Sequence, residues 1–285
     1  MQDTGKKRQN MKDQFYTKRD VAETCVKRII ETLPWTLAQS TLWIEPSAGS
    51  GAFLNHAPQN KQPTIALDLD PQHPSVTKQD FLEYTLPLRP LPIQQKRIFF
   101  GNPPFGRQGS LSKKFVQHCI HEGGAGADAI AFILPRSAQK PSMYSYIPRT
   151  YHLVFQEELP KNSFEVNKED YDVPCVFQIW EKKETLRPEE RPESPSGFEY
   201  VKRTDSYDLA IRRVGGLAGK TYTRQENPAP SIQSHNFLKF ADALKPKLKD
   251  IQAAINSHTF PSNTTGPRSL SKPEINAVIN RILQA

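Results

Sequence analysis

The residues best placed to do chemistry follow a short apolar run. Residues 98–100, Ile-Phe-Phe, have the pattern of a buried parallel strand that stops at Gly101, and Asn102-Pro103-Pro104-Phe105 comes next. Two consecutive prolines remove two backbone donors and restrict φ to about −65°, so this loop is stiff and cannot continue the sheet. A loop at the carboxyl end of a parallel strand is where open α/β folds bind their ligands.

Asn102 and Pro103 offer two acceptors side by side. The Asn102 carboxamide oxygen and the Pro103 carbonyl oxygen suit an exocyclic –NH2 group, which has two hydrogens to donate. Donating both draws the nitrogen lone pair out of conjugation and makes the nitrogen nucleophilic. Phe105 supplies a face on which a flat ring can stack. The alternative interpretation is a rigid turn with a buried phenylalanine, and the neighbouring segments favour the chemical one.

A second segment has the composition of a ligand-binding turn. An apolar strand at residues 41–45 leads into Pro46-Ser47-Ala48-Gly49-Ser50-Gly51, a glycine-rich turn that we expect to open a helix. The sequence lacks the Gly-x-Gly-x-x-Gly pattern, and no Gly-Lys-Ser/Thr follows, so a phosphate cradle is disfavoured. Residues 64–67 then read as another buried strand. It ends in Asp68, about 20 residues past the glycines, the spacing at which a carboxylate accepts from ribose hydroxyls.

These segments resemble the class I S-adenosylmethionine-dependent amino-group methyltransferases, whose largest branch is the N6-adenine methyltransferases of DNA and RNA. Asn-Pro-Pro-Phe is similar to their target-amino motif, and residues 45–54 are similar to their Glu-Pro-x-x-Gly-x-Gly-x-Phe-Leu signature. The resemblance covers about residues 15–180, and residues 173–180 and 212–220 resemble phage and large-virus members. It implies a Rossmann-like class I methyltransferase fold of the α/β class, with a mainly parallel seven-stranded sheet and helices on both faces.

The resemblance also implies which residues bind the methionine end of S-adenosyl-L-methionine. Glu45 would meet the cofactor ammonium, and a loop before the first helix would close over this end, with Lys18 where many relatives have Pro. The residues implied here are Phe15, Tyr16, Thr17, Glu45, Pro46, Ser47, Ala48, Gly49 and Gly51.

For the nucleoside end, the resemblance implies that Asp68 accepts from the ribose and that Leu69 lies against the adenine. Asp80, followed by Phe81, matches the next family segment, in which the acid accepts from the cofactor's adenine N6–H. The alternative for Asp80 is an ordinary loop acid. The catalytic set that the resemblance implies is Asn102, Pro103, Pro104 and Phe105.

The charge distribution suggests a polyanionic partner. The formal net charge is +8 and the pI is about 9.3. Six Lys/Arg stand against three Asp in the first 20 residues, and fifteen Lys/Arg stand against ten Asp/Glu in residues 185–285. This excess of positive charge at the two ends of the sequence is expected if they contact phosphates. A charged surface that only keeps the protein in solution is an equal alternative. The candidate nucleic-acid-binding residues are Arg107, Lys113, Lys114, Arg136, Arg212, Arg213 and Lys220, the last three of which flank a glycine-rich loop or flexible hairpin.

Composition also argues against several classes of protein. No apolar run approaches the ~20 residues of a membrane span, and the N-terminus has no signal-peptide core, so we expect an intracellular location in cytoplasm or nucleus. Cys25, Cys119 and Cys175 are odd in number and far apart, so they fit neither a disulfide framework nor a metal site. No histidine has ligand spacing, and we expect no bound metal.

The expected organisation has four parts: a disordered basic tail (1–13), a methyltransferase catalytic domain (14–184), a polar, proline-containing linker (185–198), and a basic C-terminal extension (199–285) that binds substrate or packs on the core. Apolar spacing predicts a first helix that ends near Leu33 with Thr17 as its N-cap. Helices are also predicted from residue 111, over 241–255 despite Pro246, and after a capping box at 271–274.

The predicted function is S-adenosylmethionine-dependent methyl transfer to the N6 amino group of adenine in DNA or RNA, with the base flipped out or already unpaired. Guanine-N2 methylation of ribosomal RNA, glutamine-amide methylation of protein, and a catalytically retired nucleic-acid-binding subunit of the same fold stay open. The basic charge favours nucleic acid over glutamine. The presence of Glu45, Asp68, Asp80 and Asn102 favours an active enzyme.

Overall fold

The structure is a computed structural model that describes residues 15–58, 64–86, 95–121, 126–140, 143, 145–189, 191–264 and 266–284. The predicted basic tail, and residues 123–125 of the glycine run expected to end the second helix, lie outside the described residues. The chain divides into two compact units, Met1–Glu189 (the N-terminal unit) and Glu190–Ala285 (the C-terminal unit). The division falls within residues 185–198, where the sequence predicts a linker.

The N-terminal unit contains ten strands and two α-helices among its described residues. The strands are β1 (Tyr16–Thr17), β2 (Leu42–Glu45), β3 (Ile65–Asp68), β4 (Thr77–Lys78), β5 (Arg97–Gly101), β6 (Ala129–Pro135), β7 (Tyr151–Glu158), β8 (Phe164–Val166), β9 (Glu169–Tyr171) and β10 (Cys175–Lys182). The helices are α1 (Arg19–Thr32) and α2 (Ser110–His121).

Seven of these strands form one sheet in the order β4-β3-β2-β5-β6-β10-β7. The first five are parallel, and β10 runs antiparallel to both β6 and β7. Strands β1, β8 and β9 form a separate three-stranded sheet. The mainly parallel seven-stranded sheet confirms the predicted Rossmann-like fold of the α/β class.

Helices cover both faces of the sheet because its central strands are apolar on both sides. In β5, Ile98 and Phe100 pack with α1 in one core, whereas Phe99 lies in the other core with α2. Strand β6 alternates in the same way: Ala131 and Ile133 face the α1 side, and Phe132 and Leu134 face the α2 side. The two cores hold the carboxyl ends of β2, β3 and β5 in place, and these ends carry the residues of the candidate site.

Two local predictions in this unit were wrong. Thr17 is not an N-cap: it belongs to β1, paired with Phe164, and the cap of α1 is Lys18, which makes no side-chain capping bond. Lys18 is also extended, and its N–H donates to the Ser163 carbonyl at 3.1 Å, so the helix starts at Arg19, one residue later than predicted. The glycine turn opens only a short 3-10 turn, Leu54–His56, because Pro58 follows Ala57 and opposes a longer helix.

The C-terminal unit has a four-stranded antiparallel sheet with two helices on one face. The strands are β11 (Phe198–Val201), β12 (Leu209–Arg212), β13 (Thr221–Tyr222) and β14 (His235–Phe240), in the order β11-β14-β12-β13. The helices are α3 (Leu248–Ser257) and α4 (Lys272–Gln284). Their apolar side chains, among them Ile251, Ile255, Ile275 and Ile279, form a core with Leu209, Ile211 and Leu238.

The predicted capping box at the start of α4 is confirmed. The backbone N–H and the hydroxyl of Ser271 both donate to Glu274 Oε2 at 2.8 Å, and the Glu274 N–H donates to Ser271 Oγ at 3.4 Å. The helix predicted over 241–255 begins later than expected. Asp242–Lys247 is a 3-10 turn that contains Pro246, and α3 starts after it, because proline cannot donate within a helix interior.

Cys25, Cys119 and Cys175 are buried free thiols. Burial raises the pKa of both Cys25 and Cys175. Within the described ranges, no helix is long and apolar enough to cross a membrane.

Candidate functional site

Asn102 lies directly after β5 and contacts two other elements of the candidate site. Its Nδ2 donates to the Phe15 carbonyl at 3.4 Å, and its backbone carbonyl accepts from Ser47 Oγ at 3.0 Å. Its side-chain oxygen Oδ1 is buried and has no hydrogen-bond partner. The carboxamide is therefore held by its nitrogen, with an acceptor left over, and buried acceptors in proteins are normally paired.

Glu45, the last residue of β2, is 1% exposed. The Leu54 backbone N–H donates to its carboxyl group, but Oε2 is buried without a partner. Burial raises the pKa of Glu45 well above its usual range, the Leu54 hydrogen bond opposes this rise, and the charge of Asp68 adds to it. A buried carboxylate is stable when a cation pairs with it, so this position suits a cationic ligand group.

Asp68 ends β3 and organises the turn around it. Its Oδ2 accepts from the Gly49 N–H and its Oδ1 accepts from the Asp70 N–H, each at 2.8 Å. Each carboxylate oxygen can accept two hydrogen bonds, so both can still accept from a ligand. The Tyr16 ring packs over Gly49, at 3.2 Å from where a Cβ would stand. Burial and then the charges of Asp68 and Asp70 raise the pKa of Tyr16.

The glycine turn requires glycine at two positions. Gly49 has φ +48° beneath the Tyr16 ring, and Gly51 has φ +78° with the His73 ring 2.8 Å from an added Cβ. The turn is closed by a hydrogen bond from the Gly51 N–H to the Ala48 carbonyl at 2.7 Å, and the Ala48 N–H donates to the Leu67 carbonyl at 2.9 Å. These contacts fasten the turn to β3. Pro46 and Ala48 are buried within it.

The residues predicted to bind a nucleoside divide into exposed and buried ones. Leu69, next to Asp68, is 64% exposed and offers an apolar surface on which a flat ring can lie. Asp80 is half-buried and caps the turn Phe81–Glu83 by accepting from the Leu82 N–H at 2.8 Å. The Phe81 side chain points into the α2-side core, where its ring meets His118 edge-on at 4.7 Å.

Phe105 is buried at 8% exposure and belongs to the α1-side core. Its ring centroid is 6.4 Å from that of Phe15, which in turn stacks on Tyr171 with centroids 5.0 Å apart and planes 11° apart. Phe164 completes the group at 6.3 Å from Phe15. The aromatic surface beside Asn102 is therefore shared between Phe105 and the β8–β9 hairpin. Of the two prolines between Asn102 and Phe105 in the sequence, Pro103 is buried and Pro104 is half-buried.

The hairpin also holds the N-terminal segment in place. Lys18 Nζ pairs with Asp170 at 2.7 Å, and the Lys18 N–H donates to the Ser163 carbonyl at 3.1 Å. A cavity of about 480 Å³ opens beside the glycine turn, and Thr17 Oγ1 on its wall is buried without a partner. The cavity is lined by Tyr16, Thr17, Lys18, Arg19, Asp20, Ser50, Ala52 and Glu165.

The candidate nucleic-acid-binding residues of the N-terminal unit are not equally available. Arg107 and Lys114 are exposed, whereas Lys113 Nζ lies over the Tyr146 ring at 4.8 Å from its centroid. Arg136 pairs with Glu158 at 2.9 Å, so its charge is already neutralised. Arg212 and Arg213 belong to the C-terminal unit and are described with it below. Lys220 of the same unit is exposed, and its backbone carbonyl accepts from the Arg212 N–H at 2.8 Å.

Three residues of this site have no signal in the sequence. Tyr171 lies in a polar, acidic stretch, yet its ring stacks on Phe15. His73 lies against Gly51, and Asp170 pairs with Lys18 across about 150 residues of chain. Only the hairpin register and the turn after β3 bring them here. In the part of the chain that the structure describes, no group of three or more His, Cys, Asp and Glu side chains could hold a metal ion.

No protein-family profile matches the chain, and no curated protein matches it. Several solved structures are similar to the chain, among them the three that follow. A Listeria monocytogenes protein assigned to the class I S-adenosylmethionine-dependent methyltransferases is 14% identical, with a TM-score of 0.42 over 61% of this chain and 64% of its own. A Pyrococcus horikoshii protein assigned as an RNA methyltransferase is 15% identical, with a TM-score of 0.42 over 63% of this chain and 91% of its own.

The third is the methyltransferase subunit of a type I restriction-modification system from Streptococcus thermophilus. It is 15% identical, with a TM-score of 0.40 over 94% of this chain and 57% of its own. The chain therefore spans less than two thirds of the length of the Listeria and Streptococcus proteins.

Proposed function

We propose that this protein is a methyltransferase that uses S-adenosyl-L-methionine to methylate the N6 amino group of adenine in nucleic acid. One observation carries the proposal: Asn102 Oδ1 is a buried acceptor without a partner, in a carboxamide whose Nδ2 is held by the Phe15 carbonyl. An amino group with two hydrogens would satisfy this acceptor and the adjacent Pro103 carbonyl together.

The residues around the glycine turn fit the cofactor. The unpaired Glu45 Oε2 would accept from the cofactor ammonium, Asp68 would accept from the ribose, and the exposed Leu69 would cover the adenine. Asp80, whose Oδ1 caps the following turn, would accept from the cofactor's adenine amino group. The bound cofactor would supply a methyl group activated by a positively charged sulfur.

The chemical contribution of the chain is to hold and activate the amino group. Asn102 and Pro103 would accept its two hydrogens and so localise the nitrogen lone pair. Their oxygens would also stabilise the positive charge that develops on the amino group as the methyl group is transferred. The stiffness of the two prolines fixes this geometry before substrate binds, so little ordering is left for the transfer step.

Nucleic acid is the favoured substrate class because the net charge is +8 and basic residues predominate in the C-terminal unit. Within nucleic acid, the unpaired acceptors suit adenine N6 and also guanine N2. The two bases are distinguished by identifying the methylated nucleoside. A glutamine side chain of a protein would offer the same –NH2 group, but its recognition would not require the excess of positive charge.

The test is transfer of labelled methyl groups to separate pools of DNA, RNA and protein, with the product nucleoside identified by mass spectrometry. We expect N6-methyladenine from the wild type and a loss of about 100-fold in rate for Asn102→Ala. Cofactor affinity, measured by calorimetry, should stay within about threefold, because Asn102 contacts the target rather than the cofactor.

Asn227→Ala, in the C-terminal unit, is the matched control and should retain full activity. Full activity of Asn102→Ala would refute the assignment of this residue. Label in glutamine or in guanine N2 would instead replace the proposed substrate with one of the alternatives.

A further inference from the structure

The C-terminal unit has a sheet face that its own helices do not cover. Leu209, Ile211 and Leu238 point to α3 and α4, whereas Ala210 and Phe237 point to the opposite face and form a small cluster with Tyr207. Arg212 and His235 are opposite each other on β12 and β14. Each is two residues along its strand from Ala210 or Phe237, so all four side chains lie on the face away from the helices. The side chains of Tyr207, Ala210, His235 and Phe237 are buried here, whereas Arg203 and Arg224 beside them are exposed. We call this the second face.

Arg224 is held over the ring of Tyr207, which packs on the second face. Its guanidinium carbon lies 4.7 Å from the centroid of the Tyr207 ring, and the Tyr207 and Phe237 rings are 5.0 Å apart. Its Nη2 lies 3.4 Å from the Asp205 carbonyl and 3.5 Å from that of Arg203. Stacking orders the guanidinium in advance, so less entropy is lost when it binds a ligand. Both Arg203 and Arg224 are exposed.

Two further arginines are held by carbonyl groups at the end of β12. Arg212 Nε donates to the Val214 carbonyl at 3.1 Å, and Arg213 Nη2 donates to the Gln233 carbonyl at 2.8 Å. Along β14, His235, which is opposite Arg212, is two residues or about 7 Å from Phe237, whose ring packs against that of Tyr207. We call Arg203, Arg212, Arg213 and Arg224 the arginine cluster.

The cluster keeps its charge. Among the described residues, none of its four members is within 4.0 Å of a carboxylate. Arginines of the N-terminal unit differ: Arg28 pairs with Glu31 and Glu157, and Arg136 pairs with Glu158. Carbonyl groups orient a guanidinium without neutralising it, and they leave its other N–H groups free for a second acceptor. Oriented and uncompensated guanidinium groups are suited to phosphate.

We propose that the arginine cluster binds the phosphodiester backbone of a single-stranded nucleic acid. The inference deepens the proposed function and rests on it for the identity of the substrate, because the same strand would carry the adenine. Charge complementarity selects a polyanion. The half-buried Tyr222, opposite Ala210 on the second face, adds a ring on which a base of a single strand can stack.

The experiment measures binding of the full-length chain to a fluorescein-labelled single-stranded DNA of about twelve nucleotides, by fluorescence anisotropy over a range of salt concentrations. We expect the double variant Arg203→Ala/Arg224→Ala to bind about tenfold more weakly, with a salt dependence reduced by about two ions. An RNA of the same sequence should behave alike within a few-fold, because the cluster contacts phosphate rather than bases.

The matched control is Lys247→Ala/Lys249→Ala, which removes the same charge from exposed positions in the 3-10 turn before α3 and in α3 itself. It should bind within about twofold of the wild type. Equal losses in both double variants would assign the binding to overall charge and overturn the proposal, as would no loss in either. Binding to vesicles of anionic lipid but not to the oligonucleotide would overturn it as well.

Two further measurements keep the result interpretable. Circular dichroism checks that each variant is folded, and the single substitution Arg203→Glu at an exposed position should also weaken binding if the double variant fails to fold. Calorimetry with S-adenosylmethionine on the same proteins separates the two claims. Failure of cofactor binding contradicts the proposed function, whereas loss of selectivity between the double variants contradicts the arginine cluster alone.

Discussion

At the scale of single residues, the candidate site is marked by polar atoms that are buried and unpaired. Eight buried side-chain atoms lack a partner among the described residues, and three of them, on Thr17, Glu45 and Asn102, lie around the cavity, the glycine turn and the end of β5. Leaving a buried polar atom unpaired costs about 1–3 kcal/mol. A concentration of such costs in one region is expected where a ligand supplies the missing partners.

Glu45→Gln should stabilise the free protein and impair cofactor binding. Glutamine keeps the shape and removes a carboxyl group whose pKa is raised by burial, so the free energy of unfolding at neutral pH should rise by about 1 kcal/mol. Loss of the charge-assisted bond to an ammonium group should weaken cofactor affinity about 10- to 100-fold. Thermal melting and calorimetry measure the two effects.

The stability difference should depend on pH in a definite direction. Because the pKa of Glu45 is higher in the folded state than in the unfolded state, the wild type loses stability as pH rises from the ordinary glutamate range, about 4.3, towards the folded-state pKa. The difference in the free energy of unfolding between Glu45→Gln and the wild type should therefore increase over that pH range and then remain constant. Added cofactor should narrow it.

Glu23→Gln, at an exposed position on α1, is the control. It should change neither the free energy of unfolding nor the cofactor affinity. A Glu45→Gln variant that binds cofactor as tightly as the wild type would contradict the role assigned to this carboxylate.

At the scale of elements, the glycine turn joins β2 to the 3-10 turn Leu54–His56, and it needs backbone conformations that glycine adopts readily. Gly51→Ala should destabilise the protein by about 1–3 kcal/mol and weaken cofactor binding, because Gly51 has φ +78° and an added Cβ would lie 2.8 Å from the His73 ring. Gly216→Ala is the matched control: nothing lies within 4 Å of its added Cβ.

Chemical denaturation of both variants should show a change for Gly216→Ala within about 0.5 kcal/mol. The double substitution Gly51→Ala/His73→Ala should recover only part of the loss, since it removes the clash but keeps the unfavourable φ. Full recovery would mean that the ring contact alone requires glycine at this position.

A second element-scale feature is the joining of β1 to the β8–β9 hairpin. The Lys18–Asp170 pair and the Phe15–Tyr171 stack connect segments that are far apart in the chain, and the Phe15 carbonyl in turn holds Asn102 Nδ2. The hairpin therefore positions the proposed catalytic carboxamide through one intermediate residue. Both Lys18 and Asp170 are partly exposed, so the stacked rings contribute more to this arrangement than the ion pair does.

At the scale of the whole molecule, each of the two units has a hydrophobic core of its own. Ser271→Ala should remove the capping box of α4 and lower the stability of the C-terminal unit by about 1 kcal/mol. The proposed cofactor site lies in the N-terminal unit, so calorimetry should show the same affinity for S-adenosylmethionine as in the wild type. A fall in cofactor affinity parallel to the fall in melting temperature would contradict this separation.

Ser206→Ala is the control for this prediction, because Ser206 is exposed and precedes β12 without a capping role. It should leave both the melting temperature and the cofactor affinity unchanged.

Much of the fold followed from local patterns. Continuous apolar runs at residues 98–100 and 129–134 predict strands buried on both faces, and the structure places them in the middle of the sheet. The capping box at Ser271 was predicted correctly because its partners are three residues apart. The N-cap assigned to Thr17 was wrong because the Lys18 N–H bonds to the carbonyl of Ser163, far along the chain, and Lys18 is held extended directly before the helix.

The sequence by itself determined the central apolar strands at residues 41–45, 64–68, 98–100 and 129–134, and it placed Glu45, Asp68 and Asn102 at or directly after the end of one of them. Spacing and residue type suffice for this, because secondary structure and turn conformation depend on near neighbours. Only the tertiary structure decided that Phe15 holds Asn102, that Tyr171 stacks on Phe15, and that Glu45 Oε2 and Asn102 Oδ1 are buried without partners. Those facts depend on contacts between distant segments, whose register and burial are set by packing and leave no local pattern in the chain.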